Sequence, residues 1–170
     1  MVFRRFLGLP APDEPDREAA PDTSGAAPKG AVGPIGETAT VRRIVARLEA
    51  LPHDQARYLA GFAYVMSRAA QADLDISAEE TAVMERSVVE LGGIDEAQAV
   101  LVVEMAKLQA RMQGATEDFL VTREFARIAT EEQRLAVLRC CFAVSAADNS
   151  ISATEASVVN EIARELDLTR

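Results

Sequence analysis

The sequence predicts an all-α fold, a single bundle of about seven helices preceded by a disordered N-terminal tail. Two observations predict it. Among the 170 residues, 49% are apolar, yet only 5% are aromatic and tryptophan is absent, a balance that favours packed helices over sheets rich in aromatic and β-branched residues. From residue 38 onward, apolar residues also recur at helical spacing. The length suits one domain with a tail.

The predicted tail covers residues 1–37. Six of the seven prolines and five of the nine glycines lie in the first 36 residues, and such a segment buries too little apolar surface to offset its ordering entropy. Residues 1–9 differ, because phenylalanines and leucines flank a pair of arginines. This basic, aromatic tip has the composition for weak contact with an anionic membrane or a partner's groove. An inert, frayed terminus is the alternative.

The predicted helical domain covers residues 38–170, and start and stop residues divide it into segments. In order, these are Thr40 to Leu51, Asp54 to Ala72, a helix stopped by Gly92 and Gly93, Asp95 to Gln113, Thr116 to Ala129, a helix opened by the capping box of Thr130, and a last helix after Ser152.

The helix after Thr130 carries a predicted inward stripe and two adjacent cysteines. The stripe consists of Leu135, Leu138, Cys141, Phe142 and Ser145. Because neighbouring cysteines do not close an ordinary disulfide loop, Cys140 and Cys141 are predicted to be small buried residues of a protein in a reducing compartment.

Charge and hydropathy limit the classes of partner. The net charge of -9 and pI near 4.7 argue against binding to a nucleic-acid backbone, which requires clustered lysine and arginine. Cations or basic surfaces are the predicted partners. The sequence holds neither a secretory signal nor an apolar run of the roughly 18 residues that a spanning helix needs. We therefore expect a cytoplasmic protein with a protein partner whose identity the sequence leaves open.

An internal repeat appears when the chain is shifted by 75 residues. Nine of the twenty positions from Ala72 to Leu91 are identical to those from Ala147 to Leu166. The shared pattern is Ala-Asp-x-x-Ile-Ser-x-x-Glu followed by an apolar helix that ends in Leu. The chain is therefore predicted to contain two related helix–loop–helix units.

The polar residues of the repeat allow two interpretations. Ser77 with Glu80, and Ser152 with Glu155, are spaced as reciprocal capping boxes. The alternative is a cation bound by loop oxygens, since calcium and magnesium prefer oxygen ligands. A metal site would use Asp73, Asp75, Glu80, Asp148 and Glu155. The first copy is favoured because it holds more carboxylates, and the spacing excludes an EF-hand.

On this duplicated motif, residues 38–170 resemble the TerB-like family, named for a tellurite-resistance protein. The resemblance implies a small bacterial cytoplasmic domain of about seven helices, associated with tellurite and other stress responses and without established enzymatic activity. It also implies metal binding by the motif carboxylates Asp73, Glu80, Asp148 and Glu155. The family often has glycine after the Asp, where this chain has Leu74 and Asn149.

The predicted function is a non-enzymatic stress-response or scaffold module that binds a divalent cation, calcium or magnesium, and otherwise needs no cofactor. Two alternatives stay open. One is a metal-dependent hydrolase that uses the same carboxylates to activate water, and the other is a pure protein-binding adaptor. The single histidine, His53, follows Pro52 at a predicted helix start, so it is interpreted as part of a cap region instead of a catalytic base.

Overall fold

The computed structural model describes residues 35–70, 78–112, 118–147 and 150–169. Within these residues the secondary structure consists of seven α-helices and no strand, which confirms the all-α prediction. The helices are α1 (Ile35–Glu49), α2 (His53–Ala70), α3 (Ala78–Glu90), α4 (Glu96–Met112), α5 (Asp118–Ile128), α6 (Glu131–Ser145) and α7 (Ala153–Glu165). Residues 1–34, which include most of the predicted tail and its tip, lie outside the described part.

The chain divides into two compact units, residues 1–50 and residues 51–170. Helix α1 belongs to the first unit and begins at Ile35, before the predicted boundary at residue 38. The second unit contains α2 to α7.

Helix α2 is the centre of the second unit. It contacts α4, α5, α6 and α7, and every residue from Leu59 to Ala70 is buried. Phe62, Val65 and Met66 are fully buried, and burial extends around the whole helix. A helix that is covered on all sides needs small residues where its neighbours approach, and α2 supplies glycine and alanine at many positions.

Helix α2 approaches α5 closely at Gly61. A Cβ atom at this position would lie 2.6 Å from Cδ2 of Phe125 in α5. The Phe125 ring stacks on Tyr58, with centroids 5.7 Å apart, and meets the edge of Phe62 at 6.5 Å. The absent side chain of Gly61 therefore makes the room for an aromatic cluster that joins α2 to α5.

The predicted inward stripe of α6 is partly wrong. The buried residues are Ala136, Val137, Cys140, Cys141 and Ser145, whereas Phe142 is 45% exposed. Apolar residues occur almost all round this helix, so their spacing does not define one face. The small side chains turn inward because α6 packs closely against α2 and α3, and this rotation leaves the large Phe142 outside. The predicted burial of both cysteines is confirmed.

Candidate functional site

The helix boundaries of the two units of the repeat coincide at the predicted offset. Helix α2 ends at Ala70 and α6 ends at Ser145, while α3 begins at Ala78 and α7 begins at Ala153. Each pair is 75 residues apart, because 145 minus 70 and 153 minus 78 are both 75. Helices α3 and α7 also end at equivalent residues, Glu90 and Glu165. The described ends of the two pairs of helices thus coincide at the offset of the repeat.

The loop of the second repeat, between α6 and α7, ends in the predicted capping box. Glu155 N–H donates to Oγ of Ser152 at 3.2 Å, and Ser152 N–H donates to Oε2 of Glu155 at 2.7 Å. The two bonds fix the direction in which α7 leaves the loop. The predicted box at the start of α6 is also present, between Thr130 and Gln133.

Most of the predicted metal ligands lie outside the described residues. Asp73, Asp75 and Asp148 fall in the gaps at 71–77 and 148–149, and Glu80 lies in α3 but its side chain is not described. Glu155 is the one predicted ligand with a described side chain. Its Oε2 is used by the cap, which leaves Oε1 as its second oxygen. Within the described ranges, no three His, Cys, Asp or Glu side chains come together as a metal site.

The donor chemistry of the loops suits a hard cation. Every predicted ligand is a carboxylate, and carboxylate oxygens are preferred by calcium and magnesium. In the second repeat the cap uses Oε2 of Glu155. We therefore expect a cation there to depend chiefly on Asp148. The metal prediction for all five carboxylates stays a prediction.

A buried ion pair joins the two units of the repeat. The two terminal guanidinium nitrogens of Arg68, near the end of α2, donate to the carboxylate of Glu165 at the end of α7. The longer of the two bonds, Nη2 to Oε1, is 3.3 Å. Nη1 of Arg68 also donates to Oγ1 of Thr122 in α5 at 2.8 Å. The side chains of Arg68 and Glu165 are only 8% and 6% exposed. The pair therefore fixes the end of α2 against α5 and α7.

Sequence reasoning missed this pair. Glu165 matches Glu90 in the repeat, and this match gives no sign that the two environments differ. Glu90 is exposed, whereas Glu165 is buried. The available signal was Arg68, a lone charge in an otherwise small and apolar stretch. A buried charge requires a partner, but the sequence does not show which of 27 carboxylates supplies it.

The two cysteines point to different neighbours. Cys140 Sγ lies 3.3 Å from the carbonyl oxygen of Ser87 in α3, whereas Cys141 Sγ lies 3.8 Å from the carbonyl oxygen of Val65 in α2. Burial raises the pKa of Cys140 to about 12 and raises the pKa of Cys141 as well. Both side chains are therefore protonated near neutral pH, and they pack as small apolar groups.

A groove of about 810 Å³ opens where three helices begin. Its lining includes Gln55, Gln98 and Gln133, each the third residue of its helix, in α2, α4 and α6 respectively. Tyr58 and Ile128 contribute apolar surface to the same groove. Desolvation, followed by the influence of Cys140, raises the pKa of Tyr58 to about 12. Its hydroxyl therefore stays a hydrogen-bond donor throughout the physiological range.

Two aspartates also line the groove. Oδ1 of Asp95 accepts the backbone N–H of Gln98 at 3.0 Å, which confirms the predicted cap of α4. Asp54 lies in the first turn of α2. Arg57 is the basic residue of the lining, and its Nη2 donates to Oε1 of Glu124 at 3.0 Å. The charge of Arg57 is thus paired with a carboxylate that does not line the groove.

Comparison with known proteins identifies a family. The family model for tellurite resistance protein TerB matches residues 59–170. No curated protein and no solved structure gives a significant match. Among the helices described, none has the length and apolar character to cross a membrane. The matched range covers 112 of the 170 residues and contains both repeats and the ion pair, so the chain belongs to the TerB family.

Proposed function

We propose that this chain is a non-enzymatic TerB-family module that serves as a stress-response or scaffold protein in the cytoplasm. Its two repeat loops bind a divalent cation, calcium or magnesium, mainly through Asp73 and Asp75, with a weaker site at Asp148. The observation that carries this proposal is the coincidence of the helix boundaries in the two units. Equivalent helix ends present the loop aspartates in equivalent places along the chain.

The capping box of the second unit supports a division of roles within each motif. Glu155 bonds to the backbone of Ser152, so by the repeat we expect Glu80 to bond to Ser77. The aspartates near the start of each loop then supply the charge for a cation. A carboxylate placed just beyond a helix end opposes the helix dipole, and a bound cation offsets that cost.

The chemistry of the described nucleophiles supports a binding role. Cys140 and Cys141 are buried thiols with raised pKa values, so neither is poised for attack on a substrate. The groove at the start of α2, α4 and α6 offers a surface for a partner instead.

Isothermal titration calorimetry with calcium and magnesium tests the cation sites. We expect binding at concentrations up to about millimolar, a loss of the stronger site in Asp73→Asn and a loss of the weaker site in Asp148→Asn. Asp54→Asn is the matched control, because it removes one carboxylate from α2 at the groove. Absence of binding in the wild type, or an equal loss in Asp54→Asn, would contradict the proposal.

A further inference from the structure

The groove at the start of α2, α4 and α6 carries an excess of negative charge. Asp54 and Asp95 line it, and Glu96, Glu131 and Glu132 lie in the first turns of α4 and α6. Within the described residues, none of these five carboxylates forms an ion pair. Arg57, the basic residue of the lining, already bonds to Glu124. The three glutamates favour helix initiation, and Asp54 and Asp95 are the carboxylates that make the lining of the groove acidic.

The groove also contains glutamine side chains, which can form hydrogen bonds with a polypeptide backbone. Each glutamine amide carries both a donor and an acceptor, as a peptide group does. The Oε1 atom of Gln133 accepts the N–H of Thr130 at 2.8 Å, and its Nε2 is left as a donor. No hydrogen bond holds the side-chain amide of Gln55 or Gln98 within the described residues. The groove therefore offers hydrogen-bonding amides at the start of three different helices.

The apolar lining suits the aliphatic stem of a long basic side chain. Ile128 is 37% exposed, and the Tyr58 ring is held in place by its stacking on Phe125. Lysine and arginine cover such surfaces with their methylene groups while the charged end reaches a carboxylate. The groove thus combines apolar walls, amides and unpaired carboxylates.

We propose that this groove binds a basic, extended segment of a partner protein. A lysine or arginine of that segment pairs with Asp54 and Asp95, and its backbone bonds to the side-chain amides of Gln55, Gln98 and Gln133. This inference deepens the scaffold part of the proposed function and rests on it. It is independent of the cation sites, because its groove and the repeat loops share no residue.

Fluorescence anisotropy with the full chain tests the proposal. The probe is a short fluorescein-labelled peptide of alternating lysine and alanine, and the same peptide with glutamate in place of lysine is its counterpart. We expect the lysine peptide alone to bind. The variant Asp54→Asn/Asp95→Asn should weaken binding by about tenfold, and asparagine at position 95 keeps the cap of α4.

The control has the same change of net charge at two carboxylates outside the groove. Glu85→Gln/Glu90→Gln should change the affinity by less than about twofold. Equal weakening in both double variants would mean diffuse attraction to an acidic protein and would overturn the proposal, as would equal binding of the glutamate peptide or no binding at all. Cation binding is measured separately by calorimetry. A loss of peptide binding can therefore be distinguished from a loss of cation binding.

Backbone amide NMR shifts locate the bound peptide. We expect the largest shift changes at residues 54–58, 93–98 and 128–133. Changes centred on α3 or α7 would place the peptide elsewhere and overturn the assignment of the groove.

Discussion

Arg68 and Glu165 form a buried, two-point ion pair between the end of α2 and the end of α7. The two residues are 97 positions apart in the chain, and Thr122 extends the contact to α5. Removal of Arg68 leaves the buried carboxylate of Glu165 without this guanidinium, which is far more costly than loss of a surface pair.

We expect Arg68→Met to lower the free energy of unfolding by about 3–5 kcal/mol. Urea denaturation followed by circular dichroism measures it. Arg68→Met/Glu165→Leu should be less destabilised than Arg68→Met alone, because no unpaired charge remains in the core. Arg127→Ala is the control, since Arg127 is 80% exposed in its pair with Glu124 and should cost less than about 1 kcal/mol. Equal costs for Arg68→Met and Arg127→Ala would contradict this view of the pair.

Gly61→Ala tests the close approach of α2 to α5. Alanine is the better helix former, by about 1 kcal/mol at an exposed site, but here its Cβ would lie 2.6 Å from the Phe125 ring. We therefore expect a net loss of about 1–3 kcal/mol in unfolding free energy. In a Phe125→Leu background the cost of Gly61→Ala should fall, because the ring is gone. A stabilised Gly61→Ala single variant would show that α5 moves away freely.

The predicted first capping box is testable through its described counterpart. Ser152→Ala should cost about 1 kcal/mol, as should Thr130→Ala. If the first unit forms the same box, Ser77→Ala should match Ser152→Ala in thermal or urea denaturation. A negligible effect of Ser77→Ala beside a clear effect of Ser152→Ala would mean that the two loops differ.

Alkaline pH should destabilise the fold through its buried thiols. The pKa of Cys140 is about 12 in the folded chain and 9.0 ordinarily, so between these values the unfolded thiol loses its proton while the folded thiol keeps it. Stability is therefore fully present below about pH 9 and declines as the pH rises toward 12. Urea denaturation as a function of pH measures the decline, which should be shallower in Cys140→Ala. The same slope in both proteins would assign the loss to other groups.

Much of the fold could be predicted from the sequence because its signals are local. The seven helices follow from apolar spacing and from caps such as Thr130 and Asp95, whose bonds involve residues three positions away. The repeat predicted equal units for the same reason. Long-range partners were not predictable, since nothing near Arg68 in the sequence indicates Glu165. The groove was missed as well, because it forms only when the starts of α2, α4 and α6 converge.

At some positions the apolar spacing predicted burial that the packing of the helices does not produce. Phe142 fits an inward stripe by spacing, yet it is 45% exposed, because Cys140 and Cys141 occupy the narrow contacts with α3 and α2. Spacing predicts a face only when polar residues mark the opposite side. On α6 the apolar residues are spread too evenly to do so.

We propose that both repeat loops bind a divalent cation, the first more strongly than the second, and Mn²⁺ titration followed by paramagnetic broadening of backbone amide signals tests this. We expect broadening beside both loops, at Ala70 and Ala78 and at Ala147 and Ser150, with the first pair lost in Asp73→Asn and the second in Asp148→Asn. Broadening concentrated at Asp54 and Asp95, or spread evenly over the acidic surface, would contradict it.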